Sequence, residues 1–249
     1  MIKNKALHIL AAALLSLGIM STALAAPDNF SVKADELEYD LQTGNGTAKG
    51  HVVLQQDGGT ATADYAEFNS KSKSGVLTGN VVADREDAHI SCSKFIMHNE
   101  NYLSAVGNAV IVKNGRSLYA DQVDYYKDSE FAQTVGSWAR MTDTDGSVLN
   151  ASKIDYSIKE GVANAYGGVT IDSEARDLTA SADKAIYRTD NDGYIELIGN
   201  AKATQKGNSV AGDTLRLTNT NVASADGNVK IIYIPEKQPA KTEENVQLA

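Results

Sequence analysis

The residues best suited to chemistry in this chain are carboxylates in a repeated setting. Asp35, Asp64, Asp121 and Asp183 each follow an alanine and precede, two residues later, an apolar position. A row of such groups along a β-helix could work as general acids and bases on an acidic polysaccharide. Their regular recurrence points instead to a structural hydrogen bond with a neighbouring turn. Asp143-x-Asp145-Gly146 and Asp190-x-Asp192-Gly193 open like calcium loops, yet both lack the continuing ligands and the distal glutamate that such loops need. Solvated turns fit them better. His8 lies in the leader, and His51, His89 and His98 are scattered without metal-site spacing. There is no Gly-x-Ser-x-Gly elbow and no phosphate loop. The expectation is a protein that is not an enzyme and needs neither cofactor nor metal. Cys92, the only cysteine, excludes an intrachain disulfide and is expected to be a small buried residue.

The elements around these aspartates repeat. An Ala-Asp-x-apolar-x-aromatic box starts at Ala34 and Ala63, with looser or matching copies at Cys92, Ala120, Ala151, Ala182 and Gly212. A glycine box follows each copy by 15 to 17 residues, at Gly50, Gly79, Gly107, Gly136, Gly167, Gly199 and Gly227. Two boxes locked in phase over seven copies signal a repeat architecture. Within each copy, apolar and polar residues alternate with a period of two, the mark of a half-buried strand. Asn114-Gly115 and Asp57-Gly58-Gly59 are among the turn signals between boxes. A glycine recurring inside a strand marks a bend or bulge, so seven of them predict a stack of equivalent corners. The expected fold is all-β: an elongated, twisted jelly roll or solenoid-like open sandwich of two antiparallel sheets, built from about seven repeats of ~30 residues.

The ends differ from this pattern. Lys3 and Lys5, the apolar run Ile9 to Met20 and Ala23-Leu24-Ala25 read as a cleaved signal peptide over residues 1–25. Residues 26–234 form the repeat domain, and the polar, proline-bearing residues 235–249 a disordered tail. Without the leader lysines, 21 basic residues face 32 acidic ones, a net charge of −11. That excludes sequence-blind nucleic-acid binding, which needs a basic surface. Small residues such as Ala48, Ala83, Ala105, Ala165 and Ala201 alternate with large ones on the inner face. Two readings stay open: sheets drawn close over a dry core, or sheets splayed around an apolar groove.

The paired boxes, written here as Ala-Asp-x-apolar-x-Tyr and Leu-x-Gly-Asn-Val, resemble the OstA/LptA-type family of lipopolysaccharide export proteins over residues 30 to 234. The cleavable signal and the lack of barrel strands make the chain most similar to the soluble periplasmic bridge of that family, although it is longer than usual. The resemblance implies a twisted, open-ended jelly roll whose apolar interior carries lipid A acyl chains. The implied lipid-binding residues are Leu37, Tyr39, Val52, Leu54, Phe68, Val81, Phe95, Ile111, Val123, Tyr125, Ile154, Tyr156, Val169 and Ile171. Implied partners are lipopolysaccharide, an inner-membrane anchored export subunit and an outer-membrane assembly protein docked on the end strands, and further copies of the chain stacked head to tail. Exposing each acyl CH₂ to water costs about 0.8 kcal/mol, which makes a shielding groove sensible. Trp138 and Arg140 stand where other copies have small aliphatics, and a shift of the fourth copy at its bend explains them better than a phosphate contact. The alternatives are a secreted β-helical polysaccharide-active enzyme and a passive surface repeat protein.

Overall fold

The computed structural model describes residues 30–56, 58–188, 194–218 and 223–234. The signal segment, the polar tail and the Asp190-x-Asp192-Gly193 turn lie outside them. The strands are β1 (Ser31–Lys33), β2 (Glu36–Tyr39), β3 (Asn45–Gln56), β4 (Gly59–Asn69), β5 (Ser74–Arg85), β6 (Ala88–Asn99), β7 (Tyr102–Lys113), β8 (Arg116–Tyr126) and β9 (Phe131–Thr142). They continue with β10 (Val148–Ala151), β11 (Lys153–Ser157), β12 (Val162–Ser173), β13 (Leu178–Arg188), β14 (Tyr194–Gln205), β15 (Asn208–Thr218), β16 (Ala223–Asp226) and β17 (Lys230–Ile232). Helical structure among the described residues is limited to a 3-10 turn at Glu174–Arg176.

Successive strands pair antiparallel as one long meander. Three passes are broken at mid-length. β1 and β2 both pair with β3, β10 and β11 both pair with β9 and β12, and β16 and β17 both pair with β15. Counted this way there are fourteen passes, two for each sequence copy.

Every glycine-box strand carries an extra residue at its middle. Lys49 pairs with Tyr65 and Val52 with Ala63, so Gly50 and His51 together oppose Asp64. Both take left-handed backbone, at φ 74° and 47°, and Gly79-Asn80, Gly107-Asn108, Gly199-Asn200 and Gly227-Asn228 do the same. Glycine and asparagine are the residues that tolerate this region, which is why the box reads Gly-Asn. The bulge bends each strand. Its two halves therefore lie in two facing layers, continuous through the corner, with one core between them.

The alternation survives the corner. Ala48 and Val52 in β3, Ala66 and Phe68 in β4, Val123 and Tyr125 in β8, and Val169 and Ile171 in β12 all point into that core. The fourth copy is the exception, as its sequence suggests. Ala120 pairs with Ala139 and Gln122 with Val135, so three residues, Gly136 to Trp138, oppose Asp121. The additional residue switches the buried positions from Ala132 and Thr134 to Ala139 and Met141. Trp138 and Arg140 are thereby left outside.

Candidate functional site

The repeated aspartates are structural. A Cβ on Gly79 would sit 2.3 Å from Asp64 Oδ2, and the other corner glycines face Asp35, Ser93, Asp121, Ser152, Asp183 and Asp213 in the same way. The bulge asparagines donate to these carboxylates: Asn80 to Asp64 at 3.0 Å, Asn200 to Asp183 at 2.9 Å and Asn228 to Asp213 at 3.1 Å. Trp138 Nε1 takes over this duty at the irregular corner and donates to Asp121 at 2.8 Å. His51 sits against Asp35 at 2.8 Å, and that hydrogen bond raises its pKa. Ser93 and Ser152 replace the carboxylate by donating to the carbonyls of Gly107 and Gly167. Aligning the seven copies would have found them.

A Ser–His–Asp trio on the outer face has the wrong polarity for nucleophilic catalysis. Ser104 Oγ donates to Asp124 Oδ1 at 2.7 Å, and His98 Nε2 lies 3.0 Å from Ser104 Oγ. The hydroxyl proton thus points at the carboxylate, away from the imidazole that would have to accept it. Gln122 Nε2 also donates to Asp124, at 2.8 Å, which completes a buried polar network covering the sheet. No cluster of potential metal ligands occurs among the described residues.

What remains is the space between the layers. At the N-terminal end there is a cavity of about 150 Å³, lined mainly by Phe30, Leu54, Leu77, Ile90, Phe95 and Leu103. Its rim is made of strand ends, among them Gln56, Gly59 and Arg85. A second depression of about 280 Å³ lies beside it, sharing Phe30 and Met97 and reaching Phe68 and Ser74 on the other layer. Phe30 packs edge-on against Phe68 with centroids 5.5 Å apart, so it occupies the open side of the sandwich. Apolar cavities of roughly this size stay dry and hold a molecule such as benzene. A whole acyl chain therefore requires the layers to part further.

The cavity lining stops at Leu103, near the start of β7. Beyond it Ile111, Leu118, Met141, Leu149, Ile154, Tyr156 and Leu197 are completely buried. The open side is closed there by polar clasps. Arg116 Nε donates to Asp143 Oδ1 at 2.7 Å, Ser147 Oγ to Ser173 Oγ at 2.7 Å, and Arg176 Nη2 to Asp145 Oδ2 at 2.6 Å. Burial pushes the Tyr187 hydroxyl up to about 12, with Arg116 opposing and Tyr156 and Asp143 adding to the rise. Tyr187 thus sits in the field of the Arg116–Asp143 pair. Burial also raises the Cys92 thiol, in keeping with the small buried residue expected there.

The implied lipid-binding residues divide accordingly. Leu54 and Phe95 line the cavity, Phe68 lines the depression, and Val52 and Val81 are buried in the adjoining core. Ile111, Val123, Tyr125, Ile154, Tyr156, Val169 and Ile171 lie in the closed stretch. Leu37 and Tyr39, on the edge strand, are 52% and 42% exposed. Tyr39 stacks on Phe68 at 6.1 Å.

This arrangement has a counterpart among known sequences. The model of the family described as LptA/(LptD N-terminal domain) LPS transport protein matches residues 60–162 and 98–223, together well over half of the chain. The chain belongs to this family. A solved structure similar to it is that of LptH from Pseudomonas aeruginosa, described as the LptA homologous periplasmic component of the conserved lipopolysaccharide transport device. The two share 14% identity over 83% of this chain and 95% of that one, with a TM-score of 0.19. With so low a score, membership of the LptA/LptD N-terminal family rests on the family model. A search of curated proteins returns no match.

Proposed function

We propose that this LptA/LptD N-terminal family member is a periplasmic component of lipopolysaccharide transport that shields acyl chains between its two layers. The observation that carries the reading is the apolar cavity between the layers at the N-terminal end. Residues 1–25 serve as the cleaved signal, 26–234 as the transport domain and 235–249 as a polar tail. The chain binds and releases its cargo and performs no catalysis.

Its partners dock on the end strands. The first pass leaves Leu37 and Tyr39 of β2 exposed, and at the other end Ile231 of β17 and Tyr233 just after it are 70% and 71% exposed. Such unpaired apolar edges invite strand addition. One end meets an inner-membrane anchored export subunit, the other an outer-membrane assembly protein, and copies of the chain stack head to tail between them.

A photo-crosslinking residue at Phe68, which is buried toward the interior, is expected to capture lipopolysaccharide in cells. The same residue at Glu67, which is exposed on the outer face, is expected to capture none. Equal capture from both positions rules the reading out.

A further inference from the structure

We propose that Arg85 anchors the anionic head group of an amphiphile whose alkyl chain enters the N-terminal cavity. The inference rests on the lipid-shielding reading and adds the chemistry of the ligand's polar end. Arg85 is the last residue of β5 and shares the inward face with Val81 and Ala83. It lines the rim of a cavity whose other polar lining residues are Gln56 and Asp84, the rest of the lining being nonpolar. Its stem passes over Gly59, where an added Cβ would lie 3.6 Å from Arg85 Cδ.

Among the described residues, the Arg85 guanidinium makes no hydrogen bond and no ion pair. The acids described beside it in sequence do not neutralise it. Asp84 is engaged by His89 Nδ1 at 2.7 Å, and Glu86 and Asp87 stay exposed in the adjoining turn. The other arginines on this side of the sandwich are treated differently: Arg116 is held by Asp143 and Arg176 by Asp145. The interior is closed where the rim arginine is capped, and hollow where it is bare.

A guanidinium presents a planar fork of donors that matches a phosphate or carboxylate with two parallel hydrogen bonds. Placed at the mouth of an apolar cavity, it selects a ligand with an oxyanion at one end and hydrocarbon at the other. Lys113 adds a second cation on the same rim. It is the register partner of Ala88, which in turn faces Arg85, so it lies about 10 Å away across two strand spacings.

The test uses the full mature chain and two soluble amphiphiles with the same alkyl chain, an alkyl phosphate and a neutral alkyl glycoside, with binding followed by calorimetry. The wild type is expected to bind the phosphate about tenfold more tightly than the glycoside. Arg85→Gln should remove that advantage, leave glycoside binding and the urea midpoint unchanged, and be partly rescued by Arg85→Lys. Inorganic phosphate should not compete at concentrations that saturate the alkyl phosphate. Equal binding of both amphiphiles by wild type and Arg85→Gln overturns the head-group anchor and leaves the cavity reading standing. Competition by inorganic phosphate overturns it in favour of a free-anion site. Failure of the wild type to bind either amphiphile overturns the cavity reading, and the anchor with it.

Discussion

The copies before β8 and those after it follow one repeat and enclose different interiors. Along the layer that bears the rim, β4 and β5 place Ala61 opposite Ala83. The same inward row continues through β8, β9, β10 and β12 as Leu118, Met141, Leu149 and Ile171, each the register partner of the next. Four facing large side chains fill the row, and beyond Ile171 the facing alanines Ala180 and Ala203 are buried too, so small side chains give a hollow only where the rim is open as well. One step nearer the open side, the first region has Gln56, Gly59, Arg85 and Ala88, and the second has the clasped Arg116–Asp143 and Ser147–Ser173 pairs. The repeat thus sets the frame. Side-chain volume and rim pairing decide whether a given segment is hollow.

The most disruptive way to sharpen this contrast is to cut into both interiors. Leu149→Ala in the closed row should cost about 4 kcal/mol, because the packed surroundings cannot collapse around the void. Leu77→Ala, which already borders empty space, should cost about 2 kcal/mol. Urea unfolding measures both, and equal costs would mean that the two interiors are packed alike.

A smaller effect is expected from unclasping the closed side. Asp143→Ala leaves Arg116 without its partner and should cost about 3 kcal/mol, while joint replacement with Asp143→Leu and Arg116→Met should restore most of that loss. The single variant should also take up an apolar dye more readily than wild type. Unchanged stability and uptake would show that the clasp does not hold the layers together.

The smallest expected effect is an alkaline one, greatest in the closed half, where burial raises both Tyr166 and Tyr187 to about 12. Tyr187 is raised to about 12, above the ordinary value near 10. The folded state therefore keeps a proton that the unfolded chain releases first. The resulting stability is complete below pH 10 and is lost as pH climbs toward 12, by at most about 1.4 kcal/mol per pH unit. Tyr187→Phe should flatten this part of the stability profile in alkaline unfolding experiments. An unaltered slope would place the titration elsewhere.

The repeat, the strands and the inward positions were legible because each follows from local alternation and a recurring Gly-Asn corner. The structural use of Asp35, Asp64, Asp121 and Asp183 was legible for the same reason, as was the displaced corner at Trp138. The rim contacts were hidden. Arg116 and Asp143 are 27 residues apart, as are Lys73 and Glu100, and Arg176 lies 31 residues from Asp145. These separations are about one repeat, so the partners meet only after neighbouring copies are laid side by side. Nor does alternation distinguish a hollow from a filled core, since alanine and leucine count alike as apolar. Whether a rim arginine is paired is decided by residues about one copy away, which no local window displays.

Each pass touches chiefly the passes before and after it, and every copy brings its own corner. The molecule consequently behaves like a ruler graduated in two-strand divisions of about 10 Å, roughly 60 Å across its fourteen passes. A division could be added or removed between copies without redrawing the others, so the distance this protein covers is set by how many times the unit was duplicated.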